Sequence, residues 1–326
     1  MSAEASEFRI RDFEPEDYER LAALASATYP DMPVSVEELR HEDESRPPQY
    51  LAHKIVSEVD GEMIGAARYD QIPWVHHPRK FFVHGFVAPG HRGRGLGATL
   101  FDAILRSLAR HDPLAIRASV RESQKEGIAF VAARGFNEER RAWESELELT
   151  SFDAARFAHA EEGVTGSGIS IRTLAELALT DPDWQRNYYG LTAESGRDSP
   201  RLEPYTYPTF EEYRRIHFES PVFMPEGTFV ALDGDEYVGS SDLHRRGGES
   251  HLDTGFTGVL PSHRGRGIAL VLKLRAIEFA RRQGTVSIAT SNDSTNARML
   301  AINDALGFKR KPAWVGFVKV LKEDAP

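Results

Sequence analysis

One phrase occurs twice in this chain, as His91-Arg92-Gly93-Arg94-Gly95-Leu96-Gly97 and as His263-Arg264-Gly265-Arg266-Gly267-Ile268-Ala269. Each copy follows a short stretch ending in proline, Val87-Ala88-Pro89 and Val259-Leu260-Pro261. Arg92 and Arg264 stand 172 residues apart, and Gly135-Phe136 and Gly307-Phe308 keep the same interval. Upstream, Asp60-Gly61 and Asp233-Gly234 are offset by 173, and each separates two apolar runs as a hairpin turn does. An interval of domain length that holds at two landmarks and to within one residue at a third makes the repeat a whole folding unit, so the 326 residues divide into two domains.

The pattern within the first copy reads as a strand at Phe8-Arg9-Ile10-Arg11, a helix over 15–26, and a helix over 35–44 capped by Ser35. A hairpin of 53–59 and 63–69 follows, then a strand over 81–87 that enters the glycine loop. Leu96, Leu100, Ile104, Leu105 and Leu108 recur at helical spacing over 96–110. A strand over 115–120, a helix over 124–134 and a closing strand over 141–149 complete the copy. The second copy restarts at Ile169-Ser170-Ile171-Arg172 and has a helical region over 183–219, interrupted by the insert Pro204-Tyr205-Thr206-Tyr207-Pro208, which either shapes a pocket or packs as a surface loop. Its hairpin spans 228–232 and 236–243, and its loop-entering strand 253–259. The expected fold class is α/β, with a mixed α+β sheet in each half. The N-terminal domain is assigned to 1–150, a helical segment with a glycine-rich, flexible break to 151–168, and the C-terminal domain to 169–326.

Closely spaced glycines let a backbone approach a ligand without Cβ interference, and the free amides of the following helix favour a phosphate. The loop therefore reads as an anion cradle. Gly93-x-Gly95-x-x-Ala98 also satisfies a relaxed dinucleotide fingerprint, but the second copy has Leu270 at the last place, and neither loop lies in the first βαβ unit of its domain. A simple tight turn would leave the recurring arginine and proline unexplained.

Composition narrows the partners. A net charge of −10 argues against nucleic acid, whose phosphates are held by clustered lysine and arginine. No run approaches 18 apolar residues, and Met1 to Glu7 lacks the basic start and apolar segment of a secretory leader, so no membrane association and a cytoplasmic location are expected. The absence of cysteine excludes disulfides, thiolate metal sites and a cysteine nucleophile. No metal ligand set is assigned from the sequence. Glu42, Asp43 and Glu44 could meet an amine, against the plainer reading of a solvated helix end.

The order Val-x-Pro-x-x-Arg-Gly-x-Gly-x-Gly/Ala, helix, strand, then a helix closing on Gly-Phe resembles the GNAT superfamily of N-acetyltransferases, once in each half. The resemblance implies two tandem domains, each a mixed, mostly antiparallel sheet flanked by helices, and acetyl-CoA as co-substrate. It implies that Arg92, Gly93, Arg94, Gly95, Leu96 and Gly97, and Arg264, Gly265, Arg266, Gly267, Ile268 and Ala269, cradle the CoA diphosphate. Val87 and Val259 would sit at the strand end that offers an amide to the thioester carbonyl, and Asn292 and Asn296 near the cofactor. The first half has Gln124 where the second has Asn296.

The same resemblance separates the halves. Where part of the family carries a catalytic glutamate, six residues before the valine, the second half has Asp253 and the first Phe81. Asp253 is the candidate base, acting through water, with His251 and His84 as alternatives. The tyrosine that many members use as general acid is replaced by Asn303 and Val131, neither of which can donate as an acid. The implied function is acetyl transfer to a primary amine by direct attack in a ternary complex, with the chemistry in the C-terminal domain. The alternative is a non-catalytic acyl-CoA-binding or interaction protein. A small-molecule amine is the expected acceptor, with a protein as the other candidate. The assembly expected is a monomeric pseudo-dimer or a homodimer.

Overall fold

The computed structural model describes residues 8–245 and 251–323, so the Met1 to Glu7 stretch read above lies outside the described residues. The chain forms two compact units. Of the described residues, the first comprises 8–140, 202–206 and 314–323, and the second 141–201, 207–245 and 251–313.

The first unit opens with β1 (Arg9–Asp12), α1 (Tyr18–Thr28) and α2 (Val36–Glu44), followed by β2 (Ala52–Val59) and β3 (Glu62–Asp70). Ser35 caps α2 in a reciprocal box with Glu38. Asp60 and Gly61, at φ 52° and 81°, make the tight turn of the β2–β3 hairpin. β4 (Lys80–Val87), α3 (Leu96–Leu108), β5 (Ala115–Arg121) and α4 (Lys125–Ala132) follow. Leu96, Leu100, Ile104 and Leu108 are buried on one face of α3 and pack on Ile64, Phe81, Val83 and Ile116. On the other sheet face, Tyr18, Leu21 and Leu39 of the first two helices cover Val56 and Ala66.

The second sequence repeat keeps the order. After β6 (Asn137–Glu148) and α5 (Ala158–Thr165) come β7 (Ile169–Thr173), α6 (Leu174–Ala178), α7 (Trp184–Ser195) and α8 (Phe210–Tyr213). They lead into β8 (Phe223–Asp233), β9 (Glu236–Arg245), β10 (His251–Val259), α9 (Ile268–Arg282), β11 (Ser287–Asp293), α10 (Ala297–Leu306), β12 (Lys309–Arg310) and β13 (Trp314–Val320). The interruption expected within the helical region over 183–219 spans 196–209, wider than the insert itself, where Pro200, Pro204 and Pro208 cannot sustain i→i−4 bonding.

Each sheet is antiparallel apart from one parallel pair. The first runs β1-β2-β3-β4-β5-β13 and the second β7-β8-β9-β10-β11-β6. The closing strands are thus exchanged. β13, from the second sequence repeat, pairs with β5 from Trp314↔Arg121 to Val320↔Ala115. β6, from the first repeat, pairs with β11 from Glu148↔Ser287 to Ala142↔Asp293.

The stretch read as a flexible glycine-rich break is helix through Thr165. Val164 is buried in the core of the second unit, and Ser167 accepts from Arg266, so apolar burial outweighs the local glycine content. The insert is a packed loop. Glu203 pairs with Lys80 at 3.0 Å and Arg117 at 2.8 Å, and Thr206 bonds Pro73 and His76, all within the first unit. Tyr207 belongs to the second unit, where its hydroxyl meets Thr192 Oγ1 at 2.9 Å.

Candidate active site

Each glycine loop follows a strand that parts from its parallel neighbour before the loop begins. β10 pairs with β11 only from His251↔Ser287 to Asp253↔Ala289, while β11 continues along β6 to Asp293. β4 and β5 pair only from Lys80↔Ala115 to Phe82↔Arg117. The rest of each entering strand borders a gap. Leu260 donates its amide to Val238 O on β9, and Ala88 donates to Ile64 O on β3. Successive strand amides point in opposite directions, so the amides of Val259 and Val87 face the gap.

The carbonyl on that same edge explains why the arginine recurs. Arg264 Nε donates to Val259 O at 2.9 Å, and Arg92 Nε to Val87 O at 3.0 Å. Arg264 also pairs with Asp198 at 2.6 Å, and Arg266 with Ser167 O and Oγ at 3.3 and 3.1 Å. These guanidinium groups brace the strand end and the loop.

Gly95 and Gly267 precede α3 and α9 with φ of 84° and 83°. A Cβ at Gly93, Gly95 or Gly265 would meet nothing within 4 Å, and one at Gly267 only Val164 at 3.6 Å. The backbone is therefore bare above two long helix N-termini, an arrangement that suits a diphosphate. The side chains of Leu96 and Ile268 point into the cores, which leaves only their backbones for a ligand. Gly97 faces Phe130 at 3.5 Å from a would-be Cβ, and Ala269 packs against the second core.

The candidate polar residues have distinct surroundings. Asp253 lies at the last parallel pair, where the gap opens, and faces His244 across β9. Counting 172 residues back gives Phe81, but β10 carries a bulge between Thr254 and Thr257. The register match is Phe82, which pairs with Arg117 just as Asp253 pairs with Ala289. Opposite Phe82 on β3 stands Asp70, buried beside His84 at 3.4 Å, Arg68 at 3.5 Å and Arg46 at 4.0 Å. Burial alone would raise its pKa, but His84 and the two arginines outweigh it and hold the carboxyl at about 2. His251 Nδ1 meets Ser287 Oγ at 2.8 Å.

Asn296 caps α10 by accepting from Met299, and Asn292 Oδ1 accepts from the buried Asn303 at 2.6 Å. Asn303 and Val131, at the usual acid positions, are both buried. Two of the α2 carboxylates are engaged, Glu42 with Arg68 and Asp43 with Lys54 and the Tyr18 hydroxyl. A further polar cluster, unmarked by any sequence motif, gathers His217, Asp242 and His244 below α7 and α8.

Comparison with known proteins accounts for the doubled loop. The model of the acetyltransferase (GNAT) family matches residues 11–136 and again 184–308. The chain belongs to this family. It is an acetyltransferase with two GNAT domains in tandem. A mycothiol acetyltransferase of Geodermatophilus obscurus is 27% identical over 262 residues, which cover 78% of each chain. A tandem GNAT protein from the clavulanic acid biosynthesis pathway superposes with a TM-score of 0.74 at 20% identity, covering 98% of this chain and 100% of that one. A GCN5-related N-acetyltransferase from Sphaerobacter thermophilus gives 0.69 at 21% identity, over 98% and 97%. These two likenesses concern the fold. Among the described residues, no helix of this GNAT chain is long and apolar enough to cross a membrane.

Proposed function

We propose that the chain moves an acetyl group from acetyl-CoA to a primary amine of a small molecule, by direct attack in a ternary complex, with the chemistry in the second unit. When bound, acetyl-CoA supplies the acyl group as an activated thioester. The bare loop of Arg264 to Ala269 and the first turn of α9 suit its diphosphate, and the Val259 amide is directed to polarise the acyl carbonyl. The first loop, Arg92 to Gly97, has the same backbone and serves as a second CoA site or as structure.

The observation that carries the choice of unit is Asp253 at the opening of the gap, where the first unit has Phe82. Asp70, the nearby carboxylate of the first unit, is held at about pKa 2 and makes a poor proton acceptor at neutral pH. Asp253 takes the proton from the attacking amine through a water, because its side chain is shorter than a glutamate. With Asn303 and Val131 at the acid positions, the departing thiol draws its proton from solvent or substrate. The relatives named mycothiol acetyltransferase support a small-molecule acceptor.

Substituting Gly267→Asp and, separately, Gly95→Asp tests the assignment by thiol release over a panel of amines. Both positions have nearly the same positive φ, so strain affects the two variants alike and the difference reports the role of each loop. Loss of at least about 100-fold in the first variant with turnover kept in the second is expected. Equal losses, or loss only from Gly95→Asp, would sink the choice of unit. Acetyl-CoA binding without thiol release from any amine would sink the reaction.

A further inference from the structure

We propose that His217, Asp242 and His244 form a binding site for a divalent transition-metal ion in the second unit. One donor atom from each residue lies within 4.8 Å of the others. Asp242 is 1% exposed and receives the Phe256 amide on Oδ1, while Oδ2 is 2.9 Å from His244 Nε2. His244 and Asp242 pair with each other, whereas His217 Nε2 is sealed from solvent and makes no hydrogen bond. The Tyr188 ring stacks on His217, and its buried hydroxyl bonds the Ser240 side chain, two residues before Asp242 on β9. A buried, unsatisfied polar atom carries a free-energy penalty, and the orphan His217 Nε2, within reach of a buried carboxylate and a second imidazole, points to a missing common partner.

The backbone is shaped to bring these donors together. His217 sits in a π-helical turn, Arg214–Phe218, its ring held by Tyr213 at 4.9 Å and Phe223 at 5.0 Å between centroids. Asp242 and His244 share one face of β9, opposite the β10 bulge. At that bulge a Cβ on Gly255 would lie 2.5 Å from His244 Cε1 and 2.9 Å from Asp242 Oδ2, so the glycine makes room for both groups. Two imidazoles and a carboxylate suit zinc, cobalt or nickel, whereas magnesium and calcium favour an all-oxygen shell. Three protein ligands leave one position of a tetrahedral ion open, as in catalytic rather than structural zinc sites. The site stands whichever unit performs acetyl transfer.

The test uses the full chain, free of any affinity tag and stripped with chelator. Titration with Zn²⁺ by calorimetry and with Co²⁺ by visible absorption is expected to give one high-affinity equivalent with a tetrahedral cobalt spectrum. His217→Ala, His244→Ala and Gly255→Ala should each weaken that event by at least about 10-fold, and His84→Ala in the first unit should leave it unchanged. Far-ultraviolet circular dichroism checks folding, and the wild-type titration needs no variant. Absence of a stoichiometric event in the wild-type chain would overturn the site. An unaltered event in folded His217→Ala and His244→Ala, or equal competition by Mg²⁺, would do the same.

Discussion

Lys273 offers a sharp test of the core of the second unit. It lies in α9 at 3% exposure, with its ammonium over the Phe308 ring at 5.4 Å. Burial brings its pKa down from 10.5 to about 8, and the attraction of Asp242 only partly opposes the shift. At roughly 1.4 kcal/mol per pH unit, the folded state carries about 3 kcal/mol of charge burial at pH 7. The unfolded lysine keeps its proton up to about pH 10.5, while the folded one releases it above about 8. Between those values the unfolded chain binds more protons, so stability rises with pH. Lys273→Met keeps an unbranched side chain and removes the charge. It should stabilise the second unit by up to about 3 kcal/mol at pH 7, and by only about 1 kcal/mol near pH 9.5. Urea unfolding of both proteins at the two pH values measures the difference. A gain that does not shrink with rising pH, or a net loss at pH 7, would refute the reasoning.

Other outcomes follow from the same geometry. Asp253→Asn should lower kcat by about 10²-fold or more while calorimetry finds acetyl-CoA binding unchanged, since the residue is assigned to proton transfer and not to the cradle. Asp70 has a depressed pKa of about 2 against 3.8 unfolded, so its contribution, on the order of 2 kcal/mol, is present above pH 4 and lost as pH falls toward 2. Asp70→Asn should flatten that acid limb in urea unfolding measured from pH 6 to pH 2. Ending the chain after Ala313 removes β13, and with it the buried Val315 and Phe317 from the core of the first unit. Hydrogen exchange should then rise along β5 while α9 stays protected; faster exchange in α9 than in β5 would contradict the strand exchange.

What was legible in the sequence was whatever is written locally. The Ser35 box, the Asp60-Gly61 turn and the apolar face of α3 each depend on a few neighbouring residues, and each is found where the pattern put it. The doubled loop was legible for the same reason, since positive φ and a free helix start need only glycines in the right order. The 163–168 stretch was misread because local glycine content suggested flexibility, whereas the burial of Val164 is a tertiary effect. The role of Arg92 and Arg264 was also hidden, because the carbonyl each one braces is five residues earlier, on a strand edge that only the sheet defines.

The pairing of the two halves shows why counting has a limit. A constant offset of 172 maps Asp253 onto Phe81, yet the bulge in β10 adds a residue to one strand alone and moves the match to Phe82. That same bulge presents the Phe256 amide to Asp242 and puts Gly255 against His244. One inserted residue therefore separates the two units in both respects, by setting which residue stands at the mouth of the gap and by opening space for a half-buried imidazole and a buried carboxylate. The repeat preserves the element order and the loop, whereas chemical differences enter where the register is broken. Differences between tandem domains should therefore be read from strand pairing, and the glycine loops alone cannot distinguish a catalytic copy from a structural one.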